Sequence, residues 1–178
     1  MKIGVLAVQG AFIEHEHIIE KIGHEVVEIR QKKDLDGIDG IILPGGESTV
    51  QGQLLRKLDM LATIKSLIAD GLPTLATCAG LILLAGHIDN DDSVHIGTLP
   101  VTVKRNAYGR QLGSFVRTAP MKGFDEFPMI FIRAPYISSI KDNVDVLAAV
   151  NDRIVAVQYN NQIGLAFHPE LSGDTRIH

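Results

Sequence analysis

Three short stretches of this sequence hold residue types that perform nucleophilic chemistry when brought together. The first surrounds the single cysteine, in Leu75-Ala76-Thr77-Cys78-Ala79-Gly80-Leu81. An apolar, strand-like run leads into small residues and then into an apolar segment of helical length. This order matches a nucleophile elbow, where a sharp strand-to-helix turn lifts the reactive side chain above a sheet. The helix N-terminus favours a thiolate over a thiol whose ordinary pKa is about 8.5. Ala76 stands where the G-x-C-x-G pattern has its first glycine, and it is small enough if its backbone angles are ordinary. Core filler is the competing reading of Cys78, because free cysteine is often buried. A stray surface thiol is a third.

A nucleophilic cysteine needs a base, and the base needs a group to orient it. His168-Pro169-Glu170 offers both, after the apolar run Ile163-Gly164-Leu165-Ala166-Phe167. In extended chain, residues two apart face the same side, which predicts that the imidazole and the carboxylate meet. Pro169 biases His168 toward that extended conformation. A surface His and Glu at a strand end is the bland alternative. The third stretch is Leu43-Pro44-Gly45-Gly46-Glu47-Ser48-Thr49. Two glycines let the backbone turn an N–H into a cleft, as an oxyanion hole requires. Glu47 meets a substrate ammonium or caps the helix that follows. Ser48 is no elbow serine, since Val50 stands where a glycine is needed, and no Gly-Lys-Ser/Thr follows to make a phosphate loop.

The elements that must position these groups read as an alternation of strands and helices. Strands are expected over 3–8, 25–29, 40–43 and 73–77. Helices are expected over 11–22, where Gly23 ends the run, and from Asp59 as N-cap to residue 69, where Gly71 ends it. Residues 79–86 are apolar and of helical length. This β-α-β order predicts an α/β fold with three layers, flavodoxin-like, built on a mostly parallel sheet. Ligands then bind at the carboxyl ends of its strands. The second half reads as strands over 94–104, 112–116, 129–132, 144–150 and 154–158, with few helices. It is expected to extend the sheet in antiparallel fashion. Residues 1–178 read as a single domain.

Charge and composition exclude several classes. The chain has 178 residues, 17 basic against 21 acidic, and a net charge of −4. That balance speaks against a nucleic-acid partner. No apolar run exceeds five residues, so no membrane span is expected, and a cytoplasmic setting is the expectation. A lone cysteine permits neither an intrachain disulfide nor a Cys-rich zinc site, and no resolving thiol accompanies it. His15 and His17, two apart on a helix, face nearly opposite ways and cannot share a metal. Asp89-Asn90-Asp91-Asp92 lacks the glycine and terminal glutamate of a calcium loop and reads as a solvated turn. No metal and no cofactor is called for.

Taken together, the sequence resembles the class I glutamine amidotransferases. Within them it is similar to the family of glutaminase subunits of pyridoxal 5'-phosphate synthase. The resemblance rests on Val8-Gln9-Gly10-Ala11, the Gly45-Gly46-Glu47-Ser48 loop, Thr77-Cys78-Ala79-Gly80-Leu81-Ile82 and Lys104-Arg105-Asn106-Ala107-Tyr108-Gly109-Arg110-Gln111. Phe131-Ile132-Arg133-Ala134-Pro135 and Phe167-His168-Pro169-Glu170-Leu171 complete it. It implies hydrolysis of L-glutamine through a glutamyl thioester on Cys78, with His168 moving protons and Glu170 orienting it. It further implies an oxyanion hole from the backbone of Gly46 and Ala79, and glutamine contacts from Gly46, Glu47, Ser48, Arg105, Ile132 and Arg133. Gln9 and Gly10 would sit near the site and the docking face. The ammonia would pass to a (β/α)₈-barrel synthase subunit. Two other classes stay open at this level: a stand-alone cysteine hydrolase or protease, and a non-enzymatic flavodoxin-like binding or chaperone module with a structural Cys78.

Overall fold

The computed structural model describes residues 1–105 and 113–178. The part of the expected Arg-Asn motif from Asn106 to Gln111, and Leu112 at the start of an expected strand, lie outside the described residues. The first half holds the expected strands and helices and adds one helix: β1 (Lys2–Leu6), α1 (Phe12–Lys21), β2 (Glu25–Ile29), β3 (Gly40–Leu43), α2 (Ser48–Lys57), α3 (Leu61–Ala69), β4 (Thr74–Thr77) and α4 (Ala79–Leu84). The addition is α2, which no expected range covers. The remainder is β5 (Ala85–Ile88), β6 (Leu99–Lys104), β7 (Ser114–Met121), β8 (Phe124–Ile132), β9 (Tyr136–Ile140), β10 (Asp145–Val150), β11 (Arg153–Tyr159) and β12 (Gln162–Leu165).

The main sheet runs β2-β1-β3-β4-β12-β11-β9-β6-β5, with β10 paired to β11. Its first five strands are mutually parallel. Beyond β12 the pairings β12–β11, β11–β9 and β9–β6 are antiparallel, which is the expected extension. β7 and β8 stand apart as a two-stranded hairpin. Residues alternate between the two faces along each parallel strand. Val5 and Ile42 pack with Ile19 of α1 on one face, while Leu6, Ile41 and Leu43 join the larger core with Leu55, Ile64 and Leu81 on the other. Helices therefore cover both faces, giving the three layers that an all-parallel region needs.

Several local expectations are corrected. Asp59 does not cap α3: it has φ 54, and the helix starts after Met60 with no side-chain cap. The helix expected over 79–86 stops at Leu84, where Ala85 turns extended and opens β5. The strand expected from residue 94 begins only at Leu99. Strands β9 and β12 were not anticipated as separate elements. β12 is short and contains Gly164, so it reads as an apolar run rather than a strand, yet it pairs in parallel with β4 from Gln162↔Thr74 to Leu165↔Thr77.

Candidate active site

Parallel pairing of β1, β3, β4 and β12 sends four strand ends to one edge of the sheet. They deliver Gln9-Gly10, Pro44 to Glu47, Cys78 and His168 in turn, with neighbouring strands about 4.8 Å apart. Strand order reverses at β1, where β2 lies to one side and β3 to the other, so the site sits beside the switch point of the sheet.

Cys78 occupies a strained turn, with φ 49 and ψ −103. Such a conformation in a non-glycine residue costs about 1–3 kcal/mol and persists only where its surroundings enforce it. Here the enforcement is visible. The Cys78 N–H donates to the Leu165 carbonyl at 2.8 Å, which fastens the turn to β12. On its other side, α4 packs so closely on β3 that a β-carbon at Gly80 would lie 2.0 Å from the Leu43 carbonyl oxygen. Ala76, by contrast, is an ordinary member of β4, paired with Leu43 and Gly164. The glycine position after the nucleophile is therefore the sterically obligatory one, and alanine before it is accommodated. Cys78 is 8% exposed and faces the cleft, so it is buried without being core filler.

His168 lies three residues past the end of β12, and its backbone N–H donates to the Ile130 carbonyl at 2.8 Å. Residues Pro169–Leu171 form a turn of 3-10 helix rather than extended chain. The side chains meet all the same: His168 Nδ1–H donates to Glu170 Oε1 at 2.6 Å, with both residues 6% exposed. The pair forms through one tight turn, not through strand alternation. Burial works against a charge on His168, but hydrogen bonds to Cys78 and Glu170 outweigh it and push the imidazole pKa up to about 10. The ring is therefore held as an imidazolium between a sulfur and a carboxylate.

The glycine loop closes the site from above. A β-carbon at Gly45 would lie 2.4 Å from His168 Cε1 and 3.4 Å from Cys78 Cβ, so only glycine lets this backbone touch both. Gly10, at φ 106, approaches so near that a β-carbon there would be 2.0 Å from the Gly45 oxygen. The Ala11 N–H donates to that same oxygen at 3.0 Å. Gln51, fully buried, donates from Nε2 to the carbonyls of Gln9 (3.0 Å) and Pro44 (3.2 Å). Gln9 Oε1 in turn accepts the Glu47 N–H at 2.9 Å. Among the described residues, neither the Gly46 N–H nor the Ala79 N–H has an acceptor.

Together these groups bound a cleft of about 530 Å³. Gln9, Gly46, Glu47, Ser48, Cys78, Ala79, Arg105, Ile132, Arg133 and His168 all line it. Of the remaining expected residues, Glu170 lies behind His168 and Gly10 behind the glycine loop. The two arginines differ. Arg133 is held at φ 43 by its N–H bond to Gly113 O; its side chain is 74% exposed, 4.0 Å from Glu47. Arg105 is more enclosed. Its Nη1 lies 3.4 Å from both Asp91 and Thr49, while its buried Nε and Nη2 have no partner among the described residues.

Sequence reasoning missed four residues that shape this site. Asp91 was read as part of a solvated turn, yet it anchors Arg105. Thr77 Oγ1 accepts the Gly45 N–H at 3.1 Å, and Gln51 ties two loops together. His15 was read only as a poor chelator; it is fully buried beside Glu170. None carries a local signal except His15, whose polar ring falls on the apolar face of α1.

Comparison with known proteins agrees with this geometry. The SNO glutamine amidotransferase family matches residues 5–178. The pyridoxal 5'-phosphate synthase subunit PdxT of Desulfitobacterium hafniense is 59% identical over all of this chain and 90% of its own length. PdxT of Streptococcus pneumoniae is 51% identical, covering all of this chain and 94% of its own. A crystal structure of a glutamine amidotransferase superposes with a TM-score of 0.95 at 39% identity, covering 99% of this chain and 94% of that one. PurLQS from Thermotoga maritima, 19% identical with a TM-score of 0.72 over 99% of this chain and 91% of that one, shares the fold. This chain belongs to the SNO glutamine amidotransferase family.

Proposed function

We propose that the chain, acting as one glutaminase domain, hydrolyses L-glutamine to L-glutamate and ammonia and supplies the ammonia to a pyridoxal 5'-phosphate synthase. The observation that carries this reading is the cleft itself. A strained cysteine and a histidine backed by Glu170 share it with two guanidinium groups and the Glu47 carboxylate. That charge pattern suits an amino-acid zwitterion and disfavours a peptide. Arg105, with two donors that have no partner among the described residues, is the better holder of the α-carboxylate, and Glu47 at the cleft wall attracts the α-ammonium.

The chemistry follows in two halves. Cys78 Sγ, as thiolate, attacks the side-chain amide carbon, and the oxygen takes the negative charge. The Gly46 and Ala79 N–H groups stabilise that oxyanion; such donors are worth about 2.7–4 kcal/mol each in comparable sites. His168 then gives its proton to the departing nitrogen, the C–N bond breaks, and ammonia leaves a glutamyl thioester. Next, water attacks the thioester carbon while His168, now neutral, takes its proton. The C–S bond breaks, releasing glutamate and restoring the thiolate–imidazolium pair. Glu170 holds the ring through Nδ1 during both transfers. The ammonia passes to a (β/α)₈-barrel synthase subunit, with Gln9-Gly10 near the docking face. Support for that partner comes from the PdxT relatives, and a biosynthetic role accords with the cytoplasmic setting expected from sequence.

The test is mass-spectrometric labelling by a glutamine-mimicking diazo ketone, with and without the synthase subunit. Labelling at Cys78 that rises with the partner is expected. No labelling under either condition overturns the reading.

A further inference from the structure

Behind the catalytic carboxylate lies a second buried ring. Glu170 gives one oxygen, Oε1, to His168; the other, Oε2, is buried with no hydrogen-bond partner among the described residues. Facing it is His15 of α1, fully buried, with Nε2 3.5 Å from that oxygen. The same nitrogen is 3.3 Å from Thr77 Oγ1, which accepts the Gly45 N–H of the glycine loop. On its far side, His15 Nδ1 lies 2.8 Å from His178 Nε2. One ring thus touches the acid of the proposed triad and the hydroxyl that anchors the proposed oxyanion loop.

The direction of these bonds follows from donor and acceptor counting. An ionised carboxylate only accepts, so a proton on His15 Nε2 satisfies Glu170 Oε2. Nδ1 is then an acceptor, filled by the His178 Nε2–H. The opposite tautomer lets the Thr77 hydroxyl donate to Nε2, but it sets that nitrogen's lone pair 3.5 Å from a buried carboxylate oxygen that has no donor among the described residues. It also moves the His178 proton to Nδ1, a buried atom with no acceptor among the described residues. Unpaired buried donors cost about 1–3 kcal/mol, so the first arrangement wins. Burial and the neighbouring His178 and His168 both keep His15 neutral, and Glu170, His168 and His178 are the titratable groups facing it. A neutral donor orients the carboxylate without cancelling the charge that His168 needs.

We infer that His15 is a positioning residue of the glutaminase reaction, its Nε2–H fixing the plane of the Glu170 carboxylate so that Oε1 faces His168. This rests on the glutaminase reading above. At 3.5 Å the contact is long, and catalytic hydrogen bonds commonly shorten when substrate binds.

Two variants of the full chain, assayed in complex with the synthase subunit, test it. His15→Leu removes the donor, whereas His15→Gln places an amide N–H near the Nε2 position. Expected for His15→Leu is a fall in kcat of about 10–100-fold at unchanged KM, as for other orienting partners. His15→Gln should recover most of it. The rate is expressed per active site titrated with the diazo ketone, so a loss of folded protein is not counted. Equal kcat in all three proteins overturns the inference, and so does an equal loss in both variants. Should His15→Leu fail to fold, the ¹H–¹⁵N spectrum of the wild-type imidazoles decides. A His15 proton on Nε2 is expected, and one on Nδ1 overturns it. If the wild-type complex releases no ammonia, the glutaminase reading falls instead, while the tautomer result still stands.

Discussion

Replacing Glu170 by Gln tests how the proposed base is kept charged. The carboxylate sits 2.6 Å from His168 Nδ1 and is 6% exposed, so solvent does not screen the contact. A hydrogen bond to a charged partner contributes about 1.5–3 kcal/mol. With one pKa unit equal to about 1.36 kcal/mol, losing it lowers the His168 pKa by about 1–2 units. From about 10 the value should therefore fall to about 8–9 in Glu170→Gln. Cys78→Ala removes the other raising partner and should lower it as well. In the double variant burial acts alone, and the pKa should drop below the ordinary 6.5. The assay is an NMR titration of ¹³C-labelled histidines, with His168 assigned by its absence in His168→Asn. Ammonia release by Glu170→Gln should fall by about 10²–10⁴, the usual span for acid–base catalysis. A His168 pKa in Glu170→Gln equal to the wild-type value would refute the reasoning.

Arg105→Ala should raise the KM for glutamine by about tenfold or more, as losing a charge-assisted contact implies, with Arg133→Ala having the smaller effect; steady-state kinetics decide, and the reverse order contradicts the carboxylate assignment. Thr77→Val leaves the Gly45 N–H buried without its acceptor, so denaturant unfolding should show a loss of about 1–3 kcal/mol. Gly80→Ala, whose β-carbon would meet the Leu43 oxygen at 2.0 Å, should not yield folded protein, as circular dichroism would show. Stability should also depend on pH in two windows. His15 and His178 are lowered by burial, His178 to about 4, so their unfolded forms bind more protons, and stability present above about pH 6.5 is lost as pH falls. His168 works in the opposite sense: its contribution is complete below about 6.5 and is lost as pH rises through about 10. Thermal unfolding midpoints should thus peak near pH 6.5; a midpoint that keeps rising as pH falls from 6.5 to 4 would contradict the sign for His15 and His178, and one that rises from pH 6.5 to 10 the sign for His168.

The parallel half of the fold was legible because its strands are short apolar runs punctuated by Gly23, Gly71 and small residues at the elbow. The Cys78, His168 and Glu170 constellation was legible for a related reason: each member follows such a run directly. What escaped was whatever depends on register between distant elements. Nothing local shows that β12 slots beside β4, although that pairing is what brings His168 to Cys78. The 3-10 turn at Pro169 was missed because extended chain and a tight turn both let residues 168 and 170 meet. Thr77, Gln51 and Asp91 act through long-range hydrogen bonds or ion pairs to residues whose positions only the sheet defines. Asp59, a good N-cap by type, lost to backbone geometry: the chain between α2 and α3 needs a left-handed residue there.

The most direct test of the account compares ammonia release from glutamine by wild-type protein and Cys78→Ala, each bound to the proposed synthase subunit. Sedimentation confirms that both complexes assemble. The account predicts that Cys78→Ala docks normally and releases no ammonia above background. Release at the wild-type rate by an intact Cys78→Ala complex would contradict it.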